Sequence, residues 1–456
     1  MERLFGTDGI RAKFGEHPLT RDFIRQIGAA LGSILSRRSS NPRLLIGKDT
    51  RYSGDELERF LIEGISSYPV EMNCLGILPT AALSYLSREH NADLGIMLSA
   101  SHNLSEDNGI KLFNSSGLKV SNEDELEIEA VIREGVRGGA FKRPEADKLK
   151  IKSIESGQAL DSYINFLKEA AGDVDLKGFK VAIDCSHGAV SGIADRALLE
   201  LGAEVDTLNN EPDGKNINQD CGSQHPEVVA RYVAENKMDV GFSFDGDGDR
   251  VILIDEKGRV LDGDYILTML GLNLQKKGKL KKNTLVATVM SNMGLDEAMK
   301  EYDIRVLRTA VGDKNVVEGM LREKLNLGGE QSGHIVLLDH SPTGDGILTC
   351  LKILALMKES NKCVSELSNC MSKFPQILLN VKVKEKKSFE EIPGLPELLK
   401  KNEEELRGSG RMVLRYSGTE PLARIMIEGK NLQMIERMSR GIADIIQEGN
   451  GRVTSA

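Results

Sequence analysis

The chain has 456 residues, of which 40% are hydrophobic and 28% charged, and its formal net charge is −9. This length allows several domains with substantial cores, and the acidic balance argues against a general nucleic-acid-binding protein. The longest apolar stretch, residues 347–357, is interrupted by Lys352 and is too short to cross a bilayer. The N-terminal residues lack the apolar core of a signal peptide, and six scattered cysteines without a C-x-x-C pair are typical of a reducing compartment. We therefore expect a cytoplasmic protein with no membrane segment.

The first segment with chemical character is Phe5-Gly6-Thr7-Asp8-Gly9-Ile10-Arg11, in which Arg11 follows a glycine-rich turn. Lys48 and Arg51 add further cations directly after a strand-like stretch. Each of them alone is typical of a surface charge. Together they indicate a cationic cleft inside an acidic protein, which suits a dianionic substrate.

A short apolar strand pattern then runs into the loop Ser99-Ala100-Ser101-His102-Asn103. A serine beside a histidine and small residues can be a nucleophile or a phosphate carrier, although an isolated Ser-His pair is usually structural. Lys111 follows a glycine turn soon afterwards and is a candidate acid/base group. We therefore predict Ser101, His102, Lys111 and Arg11 as catalytic residues.

The most specific motif is the acidic loop Asp245-Gly246-Asp247-Gly248-Asp249-Arg250, which lies between two apolar runs. Three carboxylates this close repel one another unless a hard cation lies among them, and oxygen ligands suit Mg²⁺. A solvated acidic turn is one alternative. An EF-hand loop is another, because Glu256 falls at its twelfth position, but that loop needs glycine at the sixth position, where Arg250 stands.

Two later loops could bind a phosphorylated sugar. Glycines in residues 328–334 expose backbone donors, while Glu330, Ser332 and His334 offer groups that could bind sugar hydroxyl or amino groups. Near the C-terminus, small hydroxyl residues and glycine lie between two arginines, which makes a phosphate cradle of backbone N–H groups, hydroxyls and guanidinium forks. The residues of this cradle are Arg415, Ser417, Gly418, Thr419 and Arg424.

The chain also repeats itself. Strand-like stretches at residues 43–47, 180–184 and 284–288 are each followed by a helical pattern, the first introduced by a capping box of Ser53 and Glu56. The serine loop, the acidic loop and the glutamate loop each follow a further short strand. This predicts an α/β fold with three related α/β domains containing mixed sheets, plus a C-terminal α+β domain, around a central cleft.

These motifs together resemble the α-D-phosphohexomutase superfamily, and the resemblance covers essentially the whole chain. It implies that Ser101 is the phosphorylated serine and that Asp245, Asp247 and Asp249 hold Mg²⁺ together with an oxygen on Ser101. Four loops would then define the domains: a phosphoserine-loop domain at 1–155, a metal-binding domain at 156–256, a sugar-binding domain at 257–370 and a phosphate-binding domain at 371–456.

The resemblance further implies an enzyme that interconverts glucosamine 6-phosphate and glucosamine 1-phosphate through a 1,6-bisphosphate and supplies UDP-N-acetylglucosamine synthesis. Family members often form dimers, so a homodimer is expected. Two departures bear on the site. Leu104 replaces a usual proline after the serine loop, which would have limited the freedom of that loop, and Lys314, expected to bind substrate, replaces a usual arginine. The alternatives are a phosphoglucomutase or phosphomannomutase, a serine phosphatase, and a sugar-phosphate-binding protein without catalysis.

Overall fold

The computed structural model describes residues 3–138, 150–152, 156–172, 174–417 and 421–449. Within these residues the chain forms three α/β units followed by a smaller α+β unit, as the sequence predicts. No helix of this part of the chain is both long and apolar enough to span a bilayer.

The first unit is a mixed sheet covered by helices. Its elements are β1 (Ile10–Lys13), α1 (Arg21–Arg38), β2 (Arg43–Lys48), α2 (Gly54–Ile65), β3 (Glu71–Ile77), α3 (Thr80–Glu89), β4 (Leu94–Leu98), β5 (Asp107–Asn114), α4 (Asn122–Gly138) and β6 (Lys150–Lys152). The strand order is β1-β5-β4-β2-β3-β6, and β5 runs antiparallel to both of its neighbours. The expected capping box of α2 is wrong, because Ser53 has a helical backbone and makes no side-chain cap.

The second unit repeats the plan with a shorter sheet. Its elements are α5 (Ser156–Ala171), β7 (Lys180–Asp184), α6 (Ala194–Glu200), β8 (Glu204–Leu208), α7 (Glu227–Asn236), β9 (Val240–Phe244), β10 (Val251–Asp255) and β11 (Val260–Leu261). The strand order is β11-β10-β9-β7-β8. The acidic loop connects the antiparallel pair β9 and β10, so both flanking strands hold it in place.

The third unit is again an α/β sheet. Its elements are α8 (Gly263–Lys276), β12 (Thr284–Thr288), α9 (Met293–Lys300), β13 (Arg305–Thr309), α10 (Asp313–Glu323), β14 (Leu327–Gly329), β15 (Ile335–Leu337), α11 (Gly346–Ser360) and α12 (Val364–Leu367). The strand order is β13-β12-β14-β15. The glutamate loop connects β14 to β15.

The C-terminal unit is a small antiparallel sheet with helices on one face. Its elements are β16 (Gln376–Lys382), α13 (Leu395–Leu406), β17 (Gly410–Tyr416), β18 (Leu422–Gly429) and α14 (Leu432–Gly449). The strand order is β16-β18-β17. Alternate residues such as Leu379 and Ile425 pack into the core, which leaves the other face of the sheet open.

One hydrophobic cluster joins the first three units. It includes Phe113 of the first sheet, Phe242 of the second and Leu285 of the third, all fully buried. Because the cluster is continuous, burial of apolar surface fixes the positions of three sheets relative to one another. The serine, acidic and glutamate loops therefore reach the same central region from three directions.

Candidate active site

The serine loop follows β4, and Ser101 is fully buried within it. Its hydroxyl donates to Asp245 Oδ2 at 2.6 Å, and its backbone N–H donates to Ser99 Oγ at 2.8 Å. The Nδ1 atom of His102 lies 3.4 Å from the same hydroxyl. The serine loop and the acidic loop, each of which follows a short strand of a repeated unit, thus meet in space.

The three aspartates of the acidic loop form a compact oxygen cluster. Asp245, Asp247 and Asp249 are buried, and one carboxylate oxygen from each lies within 4.8 Å of the others. Burial and the charges of Asp249 and Asp247 raise the pKa of Asp245 well above its usual range. Among the described residues, Oδ1 of Asp247 and Oδ1 of Asp249 have no hydrogen-bond partner. Such orphaned, mutually repelling oxygens fit a hard divalent cation.

Lys111 is the counter-charge that the protein itself supplies to this cluster. Its fully buried Nζ lies 2.8 Å from Asp247, 3.3 Å from Asp249 and 3.4 Å from Asp8. Burial alone would lower the pKa of Lys111, but these carboxylates hold it well above its usual range. The three carboxylates therefore favour the charged ammonium, which offsets part of their negative charge, and the predicted acid/base role of Lys111 stays a prediction.

Two arginines border the serine and acidic loops. Arg11 donates to the carbonyl of Ala100 at 3.0 Å and pairs with Asp8, while the backbone N–H of Arg250 donates to Asp245 Oδ1 at 3.1 Å. Burial and the charges of Arg250 and Arg11 lower the pKa of His102 to about 3. His102 is therefore neutral at physiological pH, and the cations here are arginine and lysine.

The glutamate loop, which includes Glu330, Ser332 and His334, forms another part of the cleft wall. Glu330 is buried and its Oε1 accepts the backbone N–H of Gly312 at 3.0 Å. The Nε2 atom of His334 accepts the backbone N–H of Gly344 at 3.2 Å. Ser332 Oγ has no hydrogen-bond partner among the described residues. These groups retain unused hydrogen-bonding capacity for a polar ligand.

Sequence reasoning missed a row of alternating charges that connects the two sides of the cleft. Lys119 forms ion pairs with both Asp8 and Asp313, and Asp313 lies 3.8 Å from His334 Nε2. Burial alone would raise the pKa of Asp313, but the charge of Lys119 lowers it. Asp8 lay inside a motif that the sequence singled out, but Lys119 and Asp313 belong to different units and carry no shared motif that would have paired them.

The open face of the C-terminal sheet forms another wall. Arg415 and Arg424 are direct cross-strand partners, and Asn380 pairs with Arg424 on the opposite side. Burial and the charge of Arg424 lower the pKa of Arg415. Like charges placed directly opposite each other repel, so this row favours an anion between them. Asn380 was not predicted, although strand register could have found it.

The remaining predicted residues are placed differently. Ser417 is buried, and its carbonyl accepts from Lys386 Nζ at 2.7 Å; Gly418 and Thr419 lie outside the described residues. Lys314 does not line the cleft, because its Nζ lies 2.9 Å from both Asn122 Oδ1 and Glu125 Oε1 on α4. The structure thus brings together most of the predicted site, without Lys314.

All four units contribute to a single cleft of about 1520 Å³. It extends from the serine and acidic loops, past the glutamate loop, to the arginine pair of the C-terminal sheet. Its lining combines many apolar side chains with carboxylates and cations, and includes Arg11, His102, Asp249, Glu330, Arg415 and Arg424. A ligand with negative charge at both ends and hydroxyl groups between them would find partners along the whole cleft.

Comparisons with known proteins agree with this architecture. Four descriptions of the phosphoglucomutase/phosphomannomutase family match in order: alpha/beta/alpha domain I over residues 2–137, domain II over 161–258, domain III over 262–374 and the C-terminal domain over 378–445. A solved phosphoglucomutase/phosphomannomutase family protein from Burkholderia thailandensis has a TM-score of 0.80 at 20% identity, covering 98% of this chain and 97% of that one.

Closer relatives carry a more specific name. The phosphoglucosamine mutase of Clostridium novyi is 45% identical, covering 98% of this chain and 99% of its own. The phosphoglucosamine mutase of Acetivibrio thermocellus is 47% identical, covering 99% of this chain and 100% of its own. With four matching domains and near-complete coverage of these relatives, the chain belongs to the phosphoglucomutase/phosphomannomutase family, the α-D-phosphohexomutase superfamily.

Proposed function

We propose that the protein is a mutase, an isomerase that interconverts glucosamine 6-phosphate and glucosamine 1-phosphate. The observation that carries the proposal is the contact of 2.6 Å between Ser101 Oγ and Asp245, in a cleft whose far wall holds the pair Arg415 and Arg424. One end of the cleft can transfer a phosphoryl group and the other can hold one. The names of the relatives at 45–47% identity support the amino sugar as the substrate.

The reaction consists of two phosphoryl transfers between oxygens, so water takes no part. In the first, phosphorylated Ser101 loses its phosphoryl group as the Oγ–P bond breaks, and the free hydroxyl of the sugar phosphate forms a new O–P bond and loses its proton. The product is glucosamine 1,6-bisphosphate. After this intermediate has turned round, its other phosphoryl group returns to Ser101 Oγ, and the sugar oxygen left behind takes up a proton.

The proposed metal ion is Mg²⁺, held by Asp245, Asp247, Asp249 and an oxygen on Ser101. When bound, it supplies positive charge that stabilises the transferring phosphoryl group. Lys111 and Arg11 add the protein's own cations at the same place. Since the neighbouring carboxylates, Asp247 first among them, favour the ammonium of Lys111 despite its burial, its proposed role is to stabilise charge in the transition state.

The rest of the cleft orients the sugar. Glu330, Ser332 and His334 offer hydrogen bonds to its hydroxyl or amino groups. Arg415 and Arg424, with Ser417, Gly418 and Thr419, would hold the phosphate that does not react. Because either phosphate must be able to occupy this cradle, the loop has to release and rebind the intermediate in each cycle. Lys314 forms ion pairs outside the cleft, so we assign it no contact with the substrate.

We also propose the cellular setting. Free thiols at all six cysteines suit the cytoplasm, and the product would serve UDP-N-acetylglucosamine synthesis for cell walls. The domain limits of 155, 256 and 370 and the homodimer stay predictions. Light scattering would test the homodimer, which requires a mass of about twice that of the 50.0 kDa chain.

Side-by-side assays with glucosamine 6-phosphate, glucose 6-phosphate and mannose 6-phosphate test the substrate. They require Mg²⁺, a sugar bisphosphate to phosphorylate the serine, and a Ser101→Ala control. We expect a strong preference for the amino sugar, and loss of all activity in the variant. Equal or faster turnover of a glucose or mannose phosphate would make the protein a phosphoglucomutase or phosphomannomutase instead. Release of inorganic phosphate would indicate a phosphatase.

A further inference from the structure

Arg51 was expected among the cations of the cleft, but its side chain is fully buried behind the serine loop. Its guanidinium donates to the carbonyl of Ser101 at 3.0 Å, of Asn103 at 2.8 Å and of Asp107 at 2.9 Å, and also to that of Leu104. One side chain therefore binds the backbone of nearly the whole loop. A planar guanidinium with five donors can do this, whereas a lysine cannot.

A residue of the second unit also forms hydrogen bonds to the backbone of this loop. Asn218 is 3% exposed, and its Nδ2 donates to the carbonyls of Ser101 and Asn103, at 2.9 Å in each case. The approach is so close that a Cβ at Gly246 would lie 2.7 Å from Asn218 Nδ2 and 2.7 Å from the carbonyl oxygen of Ser101. Two side chains from two different units thus share the same two acceptors.

A third contact fixes the amide side of the serine. Asp49 Oδ2 accepts both from Arg51 Nε at 2.9 Å and from Ser99 Oγ at 2.6 Å, and Ser99 Oγ in turn accepts the N–H of Ser101. The peptide groups on both sides of the nucleophile are therefore held by one connected, buried network. Such networks hold a backbone conformation rigidly when every member is satisfied.

The backbone conformation of Ser101 requires these surrounding hydrogen bonds. Ser101 has φ of 53°, in the left-handed region that non-glycine residues rarely adopt. Strained conformations of this kind are unfavourable and persist only where the surroundings impose them. In each catalytic cycle Ser101 Oγ would alternate between a neutral hydroxyl and a doubly charged phosphate, a change that would pull on an unrestrained loop.

We propose that Arg51 and Asn218 form a clamp that positions Ser101, keeping its backbone fixed so that Oγ stays aligned with the acidic loop in both half-reactions. The inference rests on the proposed function and concerns residues that touch no substrate. Misplacement of a reacting atom by about 1 Å can slow a reaction about 100-fold. The clamp should therefore affect the transfer step and leave substrate binding unchanged.

Three variants test the clamp. Asn218→Ala removes the hydrogen bonds that the second unit donates to the loop, and Arg51→Lys keeps the positive charge but loses the planar guanidinium. Arg59→Lys is the matched control, because Arg59 lies exposed on α2. We measure kcat and KM, the thermal unfolding midpoint, and the single-turnover rate at which Ser101 takes a phosphoryl group from glucose 1,6-bisphosphate. That donor lacks the amino group, so the measurement does not depend on the amino-sugar preference.

We expect Asn218→Ala and Arg51→Lys to lower both kcat and the phosphorylation rate by about 10- to 100-fold, with KM within about twofold of the wild type. Arg59→Lys should match the wild type. Unchanged phosphorylation rates, or a loss confined to KM or to the unfolding midpoint, would overturn the clamp. If Arg51→Lys does not fold, Asn218→Ala decides alone. A wild-type protein that never accepts a phosphoryl group on Ser101 would instead refute the proposed function.

Discussion

Replacement of Lys111 by methionine removes a cation from the centre of the site without removing much volume. The side chain is fully buried, and its ammonium contacts Asp247 at 2.8 Å, Asp249 at 3.3 Å and Asp8 at 3.4 Å. Without it, the buried Asp247 and Asp249 lose the ammonium that faces them, whereas Asp8 keeps its ion pairs with Arg11 and Lys119. Loss of one partner of a buried ion pair destabilises a protein by about 3–5 kcal/mol, and we expect Lys111→Met to fall in this range in the absence of divalent metal.

The same change at the surface provides the control. Lys168 pairs with Glu200 at 2.9 Å, but both side chains are partly exposed, so Lys168→Met should cost no more than about 1 kcal/mol. Because the chain contains no tryptophan, urea unfolding is best followed by circular dichroism. Phosphorylation of Ser101 by a sugar bisphosphate, measured in parallel, should slow by about 100-fold or more in Lys111→Met, since a buried charge that stabilises the transition state is lost.

The two variants could also behave alike. If Lys111→Met unfolds within about 1 kcal/mol of Lys168→Met and still phosphorylates Ser101 at the wild-type rate, then Lys111 is neither the counter-charge of the aspartates nor a part of the transfer machinery. Such a result would contradict the roles that burial and distance assign to Lys111.

Other predictions concern the rest of the cleft. Arg415→Met should raise KM about 10- to 100-fold, because a guanidinium that binds the substrate phosphate is lost. Stability should stay unchanged, because the substitution also removes repulsion from Arg424. Steady-state kinetics check the first expectation and thermal unfolding the second. Lys119→Met should lower the urea midpoint by leaving Asp8 and Asp313 without their shared cation, and Lys119→Arg should restore it. Burial and the charge of Asp262 raise the pKa of Asp264 to about 7. Between about pH 4 and pH 7 the folded state therefore binds a proton that the unfolded state has lost, and stability falls as the pH rises. Asp264→Asn should flatten this pH dependence, which urea titrations at a series of pH values would measure. A chelator should stop phosphoryl transfer, and Mg²⁺ at 100 times its Kd should stabilise the fold by about 2.7 kcal/mol, visible as a higher unfolding midpoint.

The sequence predicted those parts of the site that lie within one loop. Ser101 and Asp245 were recognisable because each lies in a loop that follows a short strand of a repeated unit, and strand ends gather ligand loops. The arginine pair was recognisable because small hydroxyl residues separate Arg415 from Arg424. In each case one short stretch of sequence contains the residue types that the chemistry requires.

Contacts between loops could not be predicted in the same way. Arg51 was taken for a cleft cation because sequence shows its charge but not its direction, and the structure turns it inward to the serine loop. Lys314 stands where the resemblance implies an arginine that binds substrate, but its ammonium pairs with Glu125 on α4 of the first unit. The pairing of Lys119 with Asp313 depends on how the first and third sheets pack, which no single stretch of the chain encodes.

The most direct test of the central claim is a single turnover with the phosphoryl group of Ser101 isotopically labelled. The labelled protein is mixed with glucosamine 6-phosphate and Mg²⁺, and the label is followed in the protein, in the sugar and in inorganic phosphate. The account predicts that the label leaves Ser101 and appears in glucosamine 1,6-bisphosphate and then in the monophosphates. Label that stays on the protein, or that is released as inorganic phosphate, would contradict it.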